Sequence, residues 1–499
     1  MKEENDPDIP VIVGVGQVND RTGGADRDGL DSLGLMAEAA RAAGQDAGGS
    51  LLARCDWLAI IPQISFPGLD VPGPLAQALG ISPKQVDMAS MASGDTPVRY
   101  LNDAANAIGS GKAQVALIVG GEGLRTAGYR AKLGTGGGGG IGNAAFRNAS
   151  ELRKRYGLIN PTDIYPLYEN ASRAAWGQTL AEGQTETGLI WSLMSQVAAR
   201  SEGAWLKQAR SAEDILRTDE RNRPIVFPYN KLMVANSSVN QGAALLVTSR
   251  AVAREAGIPE HRLVYIGLGA AAHELDDPLA RSRWDASPSM RVSLERAMQL
   301  NELNSSDLDC VELYSCFPCV PKMARRVIGW PAEKPATVHG GLTFGGGPVG
   351  NYMTHAAAGM VQALRQGGTN GLLFGNGGYC THNHCIVLSR KAPVLNPFPQ
   401  EYHFQTEADA ARGDIPALGD EYQGELKVET YTVVYDRNGA PNYGVVMGRS
   451  GNHAARVIAR VDKDDAASIA FLTDGRSEPV GSKGHTAKRD GILYWQLSA

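Results

Sequence analysis

Two short apolar segments, Val11-Ile-Val-Gly-Val-Gly16 and Val264-Tyr-Ile-Gly-Leu-Gly269, share one pattern and start 253 residues apart (264 minus 11). Each has the length and the uninterrupted apolar character of a strand that is buried on both faces. A second pair follows at a similar offset, because Val115-Ala-Leu-Ile-Val-Gly-Gly121 corresponds to Leu372-Leu-Phe-Gly-Asn-Gly377. The sequence therefore predicts two similar halves that are related by a pseudo-twofold axis.

Helical segments separate these predicted strands. Leu35–Ala43 is rich in strong helix formers, and Val292–Leu300 has apolar residues at helical spacing. Asp31 and Ser289 are the predicted N-caps of these two helices. Strands that alternate with helices in each half predict an α/β fold with layers in the order αβαβα.

Two stretches do not follow the repeat. Residues 122–235 interrupt the first half and contain a glycine-rich run, Gly134–Gly142, which favours a mobile loop over a phosphate cradle. Residues 393–499 follow a proline-bearing linker, and they contain the alternating segment Leu426–Val434 and the hairpin signal Asn438-Gly439. We therefore predict a first half at 8–255 with 122–235 inserted as a loop domain, a second half at 256–392, and a β-rich, barrel-like domain at 393–499.

Composition argues against several classes of protein. The chain has 499 residues and a net charge of -5, and its Lys and Arg residues form no stripe, so nucleic acid is not an expected partner. No segment approaches the ~20 consecutive apolar residues of a membrane span, and the N-terminus lacks the apolar core of a signal peptide, so a cytoplasmic location is expected. Six cysteines in so long a chain do not predict a disulfide framework.

The repeat and its glycine motifs resemble the thiolase superfamily over residues 8–390, and within it the sterol-carrier-type thiolases, the thiolase-fold aldolases and bacterial thiolase-like proteins. Val239–Val247 resembles the strand in which that family reads Asp-Gly-Ala-Ala, with Gln241 in place of the Asp. Gly340–Gly350 resembles the loop that usually ends Gly-His-Pro, and Tyr314-Ser-Cys-Phe317 lies where relatives read Asn-Glu-Ala-Phe or His-Asp-Cys-Phe. The extra C-terminal β domain is similar to one that some bacterial thiolase-like proteins carry.

The resemblance implies three catalytic positions, and none of them keeps the residue that a thiolase uses. Met91, in Met91-Ala-Ser-Gly94, stands for the nucleophilic Cys, Gly347 stands for the activating His, and Gly375 stands for the second Cys. The repeat agrees with this assignment, because Met91 shifted by 256 residues falls on Gly347. Since deleting a nucleophile alone lowers turnover on the order of 10⁶-fold in a hydrolase, ordinary thiolase acetyl transfer is not expected.

Two tyrosines and a histidine are the candidate catalytic residues. Tyr314 follows a predicted strand and Tyr379 follows a glycine turn, and the resemblance places both loops at the active site. A tyrosine with a lowered pKa could act as the base in aldol-type cleavage of a β-hydroxyacyl-CoA, as the thiolase-fold aldolases imply; two ordinary wall residues are the alternative. His382 is the third candidate, because an extended His382-Asn-His384 would point both rings to one face.

The resemblance also implies a CoA thioester as substrate or ligand, with no permanently bound cofactor and no metal. Ser238, in Asn236-Ser-Ser238, is the predicted CoA contact. Ser93, Gly94 and Gly347 are the other predicted ligand-binding positions, and the amides of Ser93 and Gly94 are the donors that remain for an enolate oxygen.

Four alternatives stay open at this point. The chain could be a catalytically silent binder of acyl-CoA or of a lipid-like thioester, or an acyltransferase whose nucleophile has moved to Cys316 or Cys380. Cys316-x-x-Cys319 together with the histidines near Cys385 has spacing compatible with zinc, although packing is the favoured interpretation. The resemblance predicts a homodimer, and a monomer is the alternative if the appended domain covers the dimer edge.

Overall fold

The computed structural model describes residues 8–23, 27–450 and 455–498. The strands are β1 Pro10–Asn19, β2 Trp57–Ile60, β3 Gln85–Met88, β4 Val115–Gly123, β5 Pro224–Val226, β6 Tyr229–Asn230, β7 Asn240–Ser249, β8 Val264–His273, β9 Cys310–Leu313, β10 Asn370–Gly377, β11 His382–Ser389, β12 Leu418–Gly419, β13 Gly424–Tyr435, β14 Pro441–Ser450, β15 Arg456–Val461, β16 Lys483–Arg489 and β17 Ile492–Leu497. The helices are α1 Ser32–Asp46, α2 Pro72–Leu79, α3 Thr96–Gly109, α4 Leu124–Leu133, α5 Ile141–Asn148, α6 Glu151–Tyr156, α7 Pro161–Ala175, α8 Leu180–Arg200, α9 Ala212–Leu216, α10 Arg250–Glu255, α11 Pro288–Leu300, α12 Cys319–Ile328, α13 Tyr352–Arg365, α14 Gln405–Arg412 and α15 Ala466–Thr473. Within the described ranges, no helix has the length and apolar character needed to cross a membrane.

The core contains one nine-stranded sheet in the order β3-β2-β4-β7-β1-β8-β11-β10-β9. The strands on one side of the β1–β8 contact repeat the order and the directions of the strands on the other side. β7 next to β1 corresponds to β11 next to β8, and each is antiparallel to both of its neighbours. β1 and β8 pair through only two residue pairs, Val11 with Tyr265 and Ile12 with Val264. The predicted pseudo-twofold is confirmed, and its two quoted apolar segments are the strands that meet at the centre.

Two central helices lie between the two halves of this sheet. α3 and α13 each contact strands of both halves, whereas α1 packs on the first half and α11 on the second. α3 begins at Thr96 and α13 at Tyr352, which are 256 residues apart (352 minus 96), as the equivalence of their preceding loops requires. The layered αβαβα prediction is confirmed.

The glycines of β1 let α1 approach the sheet closely. A Cβ added at Gly14 or at Gly16 would collide with the Ala43 or the Ala39 carbonyl oxygen of α1. A larger residue at either position would therefore push the helix away from the strand.

One of the two predicted helix caps is correct. Asp31 accepts a hydrogen bond from the Gly34 amide and caps α1. Ser289 was the wrong choice for α11, because Ser287 accepts from the Met290 amide and is the N-cap. Ser289 lies in the first turn and donates to Glu274, so a tertiary hydrogen bond, invisible in the local sequence, decides its role.

The second sheet confirms the predicted β-rich, barrel-like arrangement. β13 pairs with both β14 and β16, and the path β14-β15-β17-β16 returns to β13, so these five strands close on themselves. β5 and β6 extend the sheet from β13. Since these two short strands come from the inserted residues 122–235, the sheet is built from that segment as well as from the C-terminal residues.

Candidate functional site

The N-terminal ends of α3 and α13 meet, and the end of β10 lies against them. A Cβ added at Gly350, just before α13, would lie 3.1 Å from the Ser93 amide nitrogen before α3. A Cβ added at Gly375, near the end of β10, would lie 3.1 Å from the Cα of Asp95. The partial positive charge of two helix N-termini is therefore directed at one place, which favours a ligand that carries or develops negative charge.

The three positions that the resemblance assigns to thiolase catalytic residues have different surroundings. Met91 is 64% exposed, so its thioether is not enclosed in a pocket. The amide of Gly347 donates to the Asn236 carbonyl at 2.8 Å, so this buried group is already engaged within the protein. At Gly375, a Cβ would also approach Val98 Cγ2 to 2.9 Å, so the packing leaves little room for any side chain at this position.

Tyr314 places its hydroxyl at the loop that precedes α3. A Cβ added at Gly94 would collide with Tyr314 Oη and with the Asn376 carbonyl oxygen. Tyr314 is 7% exposed, and its hydroxyl has no hydrogen-bond partner among the described residues. Burial raises the pKa of Tyr314 well above its ordinary value, and the nearby Cys316 and Asp95 add to this shift. The group therefore holds its proton at neutral pH, and the lowered pKa that a basic role requires is not found.

Asp95 supplies the carboxylate of this site. It is the N-cap residue of α3, and Ser93 Oγ donates to its Oδ1 in a short hydrogen bond. A Cβ added at Gly377 would collide with both Ser93 Oγ and Asp95 Oδ1, so the end of β10 lies directly against this pair. A half-buried carboxylate is thus placed close to a buried, protonated phenol.

A cluster of polar groups surrounds Tyr165 of α7, close to Tyr314. Tyr165 Oη donates to Asn376 Oδ1 at 3.1 Å and accepts from the Cys380 amide at 3.0 Å. Burial raises the pKa of Cys380 to about 11 and moves that of Cys316 in the same direction. Both thiols are therefore protonated at neutral pH, which argues against a nucleophile relocated to either of them.

The other two candidate catalytic residues are not placed like Tyr314. The Tyr379 hydroxyl donates to the Ile159 carbonyl at 3.0 Å, and the Arg153 guanidinium lies 4.5 Å from the centre of the Tyr379 ring. The Tyr379 side chain therefore connects its own loop to α6 and to the turn that follows α6. His382 opens β11, is 40% exposed, and has Thr381 Oγ1 3.0 Å from its Nδ1. Both side chains therefore lie near the surface and contact neighbouring groups of the protein.

Ser238 lies on the exposed turn before β7. Its amide donates to Asn236 Oδ1 at 3.1 Å, and the residue is exposed. The carbonyl of the same Asn236 accepts from Gly347. The predicted CoA-contact segment is therefore tied to the loop before α13, and its contact with CoA stays a prediction.

A buried row of polar rings continues from Tyr314 along α13. Tyr314 meets Tyr352 edge-on at 5.9 Å, and Tyr352 Oη donates to Glu312 at 2.9 Å. His339 lies 5.9 Å from Tyr352 and 5.3 Å from His355, measured between ring centres. Burial raises the pKa of Glu312 to about 7 and lowers that of His339 to about 4, so the imidazole of His339 is neutral at neutral pH.

Sequence reasoning missed Asp95, Asn376 and Tyr165. Asp95 carries a local signal, because an Asp that follows a glycine loop and precedes a helical pattern is a common N-cap. Asn376 lies within a glycine motif that was recognised only for its backbone. Tyr165 comes from the inserted segment, and only the tertiary structure brings it to β10.

Comparisons with known proteins agree with the observed fold. Residues 407–491 match the family of the additional C-terminal domain of thiolase-like protein type 1. The fold is similar to the crystal structure of a monomeric SCP2-thiolase-like protein type 1 from Mycobacterium smegmatis, at 29% identity and a TM-score of 0.82, over 99% of this chain and 100% of that one. No protein of curated function matches the chain in sequence.

Two more distant structures share the fold alone. The Ltp2–ChsH2(DUF35) aldolase is 20% identical with a TM-score of 0.59, over 77% of this chain and 98% of that one. Human mitochondrial 3-ketoacyl-CoA thiolase, solved in complex with CoA, is 14% identical with a TM-score of 0.57, over 77% and 98%. The chain therefore has the thiolase fold, and its residues 407–491 match the additional C-terminal domain of type 1 thiolase-like proteins.

Proposed function

We propose that the protein binds a CoA thioester at the N-termini of α3 and α13 and breaks or forms a carbon–carbon bond by aldol-type chemistry, without an acyl-enzyme. The observation that carries this proposal is the position of Tyr314. Its protonated, unpartnered hydroxyl lies at Gly94, in the loop whose first residue is Met91 instead of a nucleophilic Cys. The site thus offers a proton donor where a thiolase offers a nucleophile.

The absence of a usable nucleophile argues against thiolase chemistry. A thioether cannot accept an acyl group and release it by hydrolysis or thiolysis, so Met91 does not replace a Cys. Burial keeps Cys316 and Cys380 protonated. Aldol cleavage avoids this requirement, because it needs only a base, a proton donor and stabilisation of an enolate.

The available groups fit the cleavage direction as follows. The Asp95 carboxylate takes the proton of the β-hydroxyl group, the Cα–Cβ bond breaks, and its electron pair forms the thioester enolate. Tyr314 donates its proton to that enolate, which gives the shortened acyl-CoA, and the β-carbon leaves as an aldehyde or ketone. The proton held by Asp95 returns to Tyr314 through solvent, so the step needs no other reactant.

Backbone donors support the enolate part of this proposal. The amides of Ser93 and Gly94 have no acceptor among the described residues, and they lie at the N-terminus of α3, where the helix dipole favours negative charge. The fold is shared with a thiolase solved in complex with CoA and with an aldolase, which supports a thioester ligand by likeness of fold. Ser238 remains the proposed CoA contact.

The decisive experiment uses Tyr314→Phe. Purified protein is titrated calorimetrically with CoA, acetyl-CoA and a panel of β-hydroxyacyl-CoAs, and products are followed by mass spectrometry. Tyr314→Phe should keep thioester affinity within about threefold and lower cleavage by about 10²–10⁴-fold, the usual contribution of one general acid. Tyr379→Phe is the matched control, because its hydroxyl is held by Ile159, and it should cleave like the wild type. Unchanged turnover in Tyr314→Phe contradicts the assigned role.

A specific observation favours a second candidate, a thioester-binding protein without turnover. Gly94, Gly375 and Gly377 are packed so closely that Cβ atoms at these positions would contact or collide with their neighbours, and such packing leaves little space for a substrate beside Tyr314. Thioester binding without any product from the whole panel would establish this second candidate. Absence of thioester binding would refute both.

A further inference from the structure

A polar cavity of about 290 Å³ lies at the end of β1, and neither Met91 nor Ser238 lines it. It is bounded by the C-terminal end of β1, by α13 and by the segment that follows α8. Its lining consists of Gln17, Asn19, Arg21, Glu202, Gly203, Lys207 and Gln362. No residue of the proposed thioester site lines it.

The pseudo-twofold identifies what fills the corresponding space in the other half. The 253-residue offset of the strands maps Gln17 to Ala270, and the 256-residue offset of the central helices maps Gln362 to Asn106. There the chain itself occupies the groove: Gln400 accepts from the Gly269 amide and donates to its carbonyl, both at 2.8 Å. The Gln400 backbone also forms two hydrogen bonds with the Asn106 side chain, of 2.8 and 3.0 Å.

The open groove and the filled groove have different linings. Where the filled groove has alanines at 270 and 272, the open one has Gln17 and Asn19. Alanine suits contact with a packed chain segment, whereas amide side chains suit a polar occupant. The cavity is therefore a site that the fold forms twice, and in this half its walls are built for a polar occupant.

The buried contacts orient the amides of this wall. Burial lowers the pKa of His355, so its ring is neutral, and its Nδ1 lies 2.9 Å from Gln17 Oε1. With this oxygen accepting from His355, the amide nitrogen of Gln17 is the end left to donate. Asn19 is held by Gln241, which donates to its Oδ1 at 2.8 Å, and by the Gly203 carbonyl, which accepts from its Nδ2 at 2.9 Å.

Two exposed cations flank the cavity, and each is hydrogen-bonded to a backbone carbonyl oxygen. The Arg21 guanidinium donates to the Trp205 and Ala204 carbonyls at 2.7 and 2.9 Å, which leaves further N–H groups of its fork. Lys207 donates to the Ser201 carbonyl and keeps further donors on its ammonium group. Burial and the neighbouring positive charge of Arg21 both lower the pKa of Lys207. With Glu202, the lining carries two positive charges and one negative charge.

We infer that this cavity binds the phosphate group of a small phosphorylated molecule, with Arg21 and Lys207 as the charged contacts and Gln17 as an amide donor. An anion between Arg21 and Lys207 would relieve the repulsion between these two cations. Guanidinium and ammonium groups together are a common phosphate-binding pair. The phosphate could belong to a free phosphate ester or to the CoA part of a thioester, and the experiment separates these sources. The inference does not depend on the proposed aldol chemistry.

The experiment is calorimetric titration of the full chain with inorganic phosphate and with adenosine 3′,5′-bisphosphate, each at two ionic strengths. Lys207→Gln and Arg21→Gln should each weaken binding by about tenfold, since a hydrogen bond to a charged group contributes on that scale. Lys463→Gln removes the same charge from an exposed position in the C-terminal domain and should leave binding unchanged. Lys207→Gln is the cleaner variant, because Arg21 also supports the 204–205 backbone.

The outcomes are distinct. Competition between phosphate and CoA, lost in Lys207→Gln, would show that the site takes a phosphate of CoA. Binding that CoA does not displace would show a separate phosphate ester site. Absence of phosphate binding to the wild type, or equal binding by wild type and Lys207→Gln, would overturn the inference whatever the thioester experiments give.

Discussion

The two halves of the core start their central helices at equivalent positions but surround them differently. Before α3, the loop carries an exposed Met91; before α13, the equivalent Gly347 is buried and its amide is engaged by Asn236. Beside α3, the chain fills the groove with Gln400; beside α13, the groove is a cavity. The strand and helix framework has kept its symmetry, while the loops and grooves where ligands would bind have lost it.

This difference separates the packing of strands and helices, which the two halves share, from the contacts of loops and grooves, which each half has for itself. Sheet order and helix position depend on apolar burial over many residues, so single changes do not alter them. A loop or groove depends on a few polar contacts, so one substitution can open it, close it or change its chemistry. The asymmetry between the halves therefore indicates where function is to be tested.

The largest expected effect comes from an equivalent pair of glycines. Gly94 and Gly350 are 256 residues apart, but a Cβ at Gly94 would collide with Asn376 O and Tyr314 Oη, whereas at Gly350 it would lie 3.1 Å from the Ser93 amide nitrogen. Gly94→Ala should lower the free energy of unfolding by about 3 kcal/mol, and Gly350→Ala by less than about 1 kcal/mol. Denaturant unfolding followed by circular dichroism measures both. Equal losses would mean that the loops before α3 and α13 are packed alike.

A smaller effect should come from the buried histidines beside the two central helices. Burial lowers the pKa of His384, which contacts Asn102 of α3, to about 3, and lowers that of His355 on α13 as well. Below pH 6.5 the unfolded chain binds protons that the folded chain does not, so stability falls as pH falls. His384 should contribute about 2 kcal/mol of this loss between pH 6.5 and 5, and His355 should act in the same direction.

His384→Gln tests this pH dependence. Its unfolding free energy, measured at pH 7, 6 and 5, should fall less steeply than that of the wild type. The exposed His485→Gln is the control and should keep the wild-type slope. An unchanged slope in His384→Gln would show that its imidazole is not held neutral in the folded protein.

The smallest expected effect compares the filled groove with the open one. Asn106→Ala removes two hydrogen bonds to the Gln400 backbone and should lower the free energy of unfolding by about 1 kcal/mol, because higher helix propensity offsets part of the loss. The equivalent Gln362 is exposed, so Gln362→Ala should change it by less than about 0.5 kcal/mol. A larger loss of unfolding free energy in Gln362→Ala would indicate that Gln362 already forms stabilising contacts across the open groove.

The framework of strands and helices could be predicted because it depends on local sequence patterns that repeat along the chain. The offset between the Val11 and Val264 segments is a property of the chain, and it predicted the paired halves, the central strands and the equivalence of Met91 with Gly347. The Asn438-Gly439 turn between β13 and β14 is likewise local, since two residues with the right backbone preference determine it.

The candidate site was predictable only in part. The sequence by itself predicted that Met91, Gly347 and Gly375 stand at the three catalytic positions of a thiolase, and that Tyr314 follows a core strand. Only the tertiary structure decided that Tyr314 keeps its proton, that Tyr379 is held by Ile159, and that Asp95 and Tyr165 join the site. The physical reason is that burial and hydrogen-bond partners depend on residues far apart in sequence, whereas strand and helix patterns depend on neighbours.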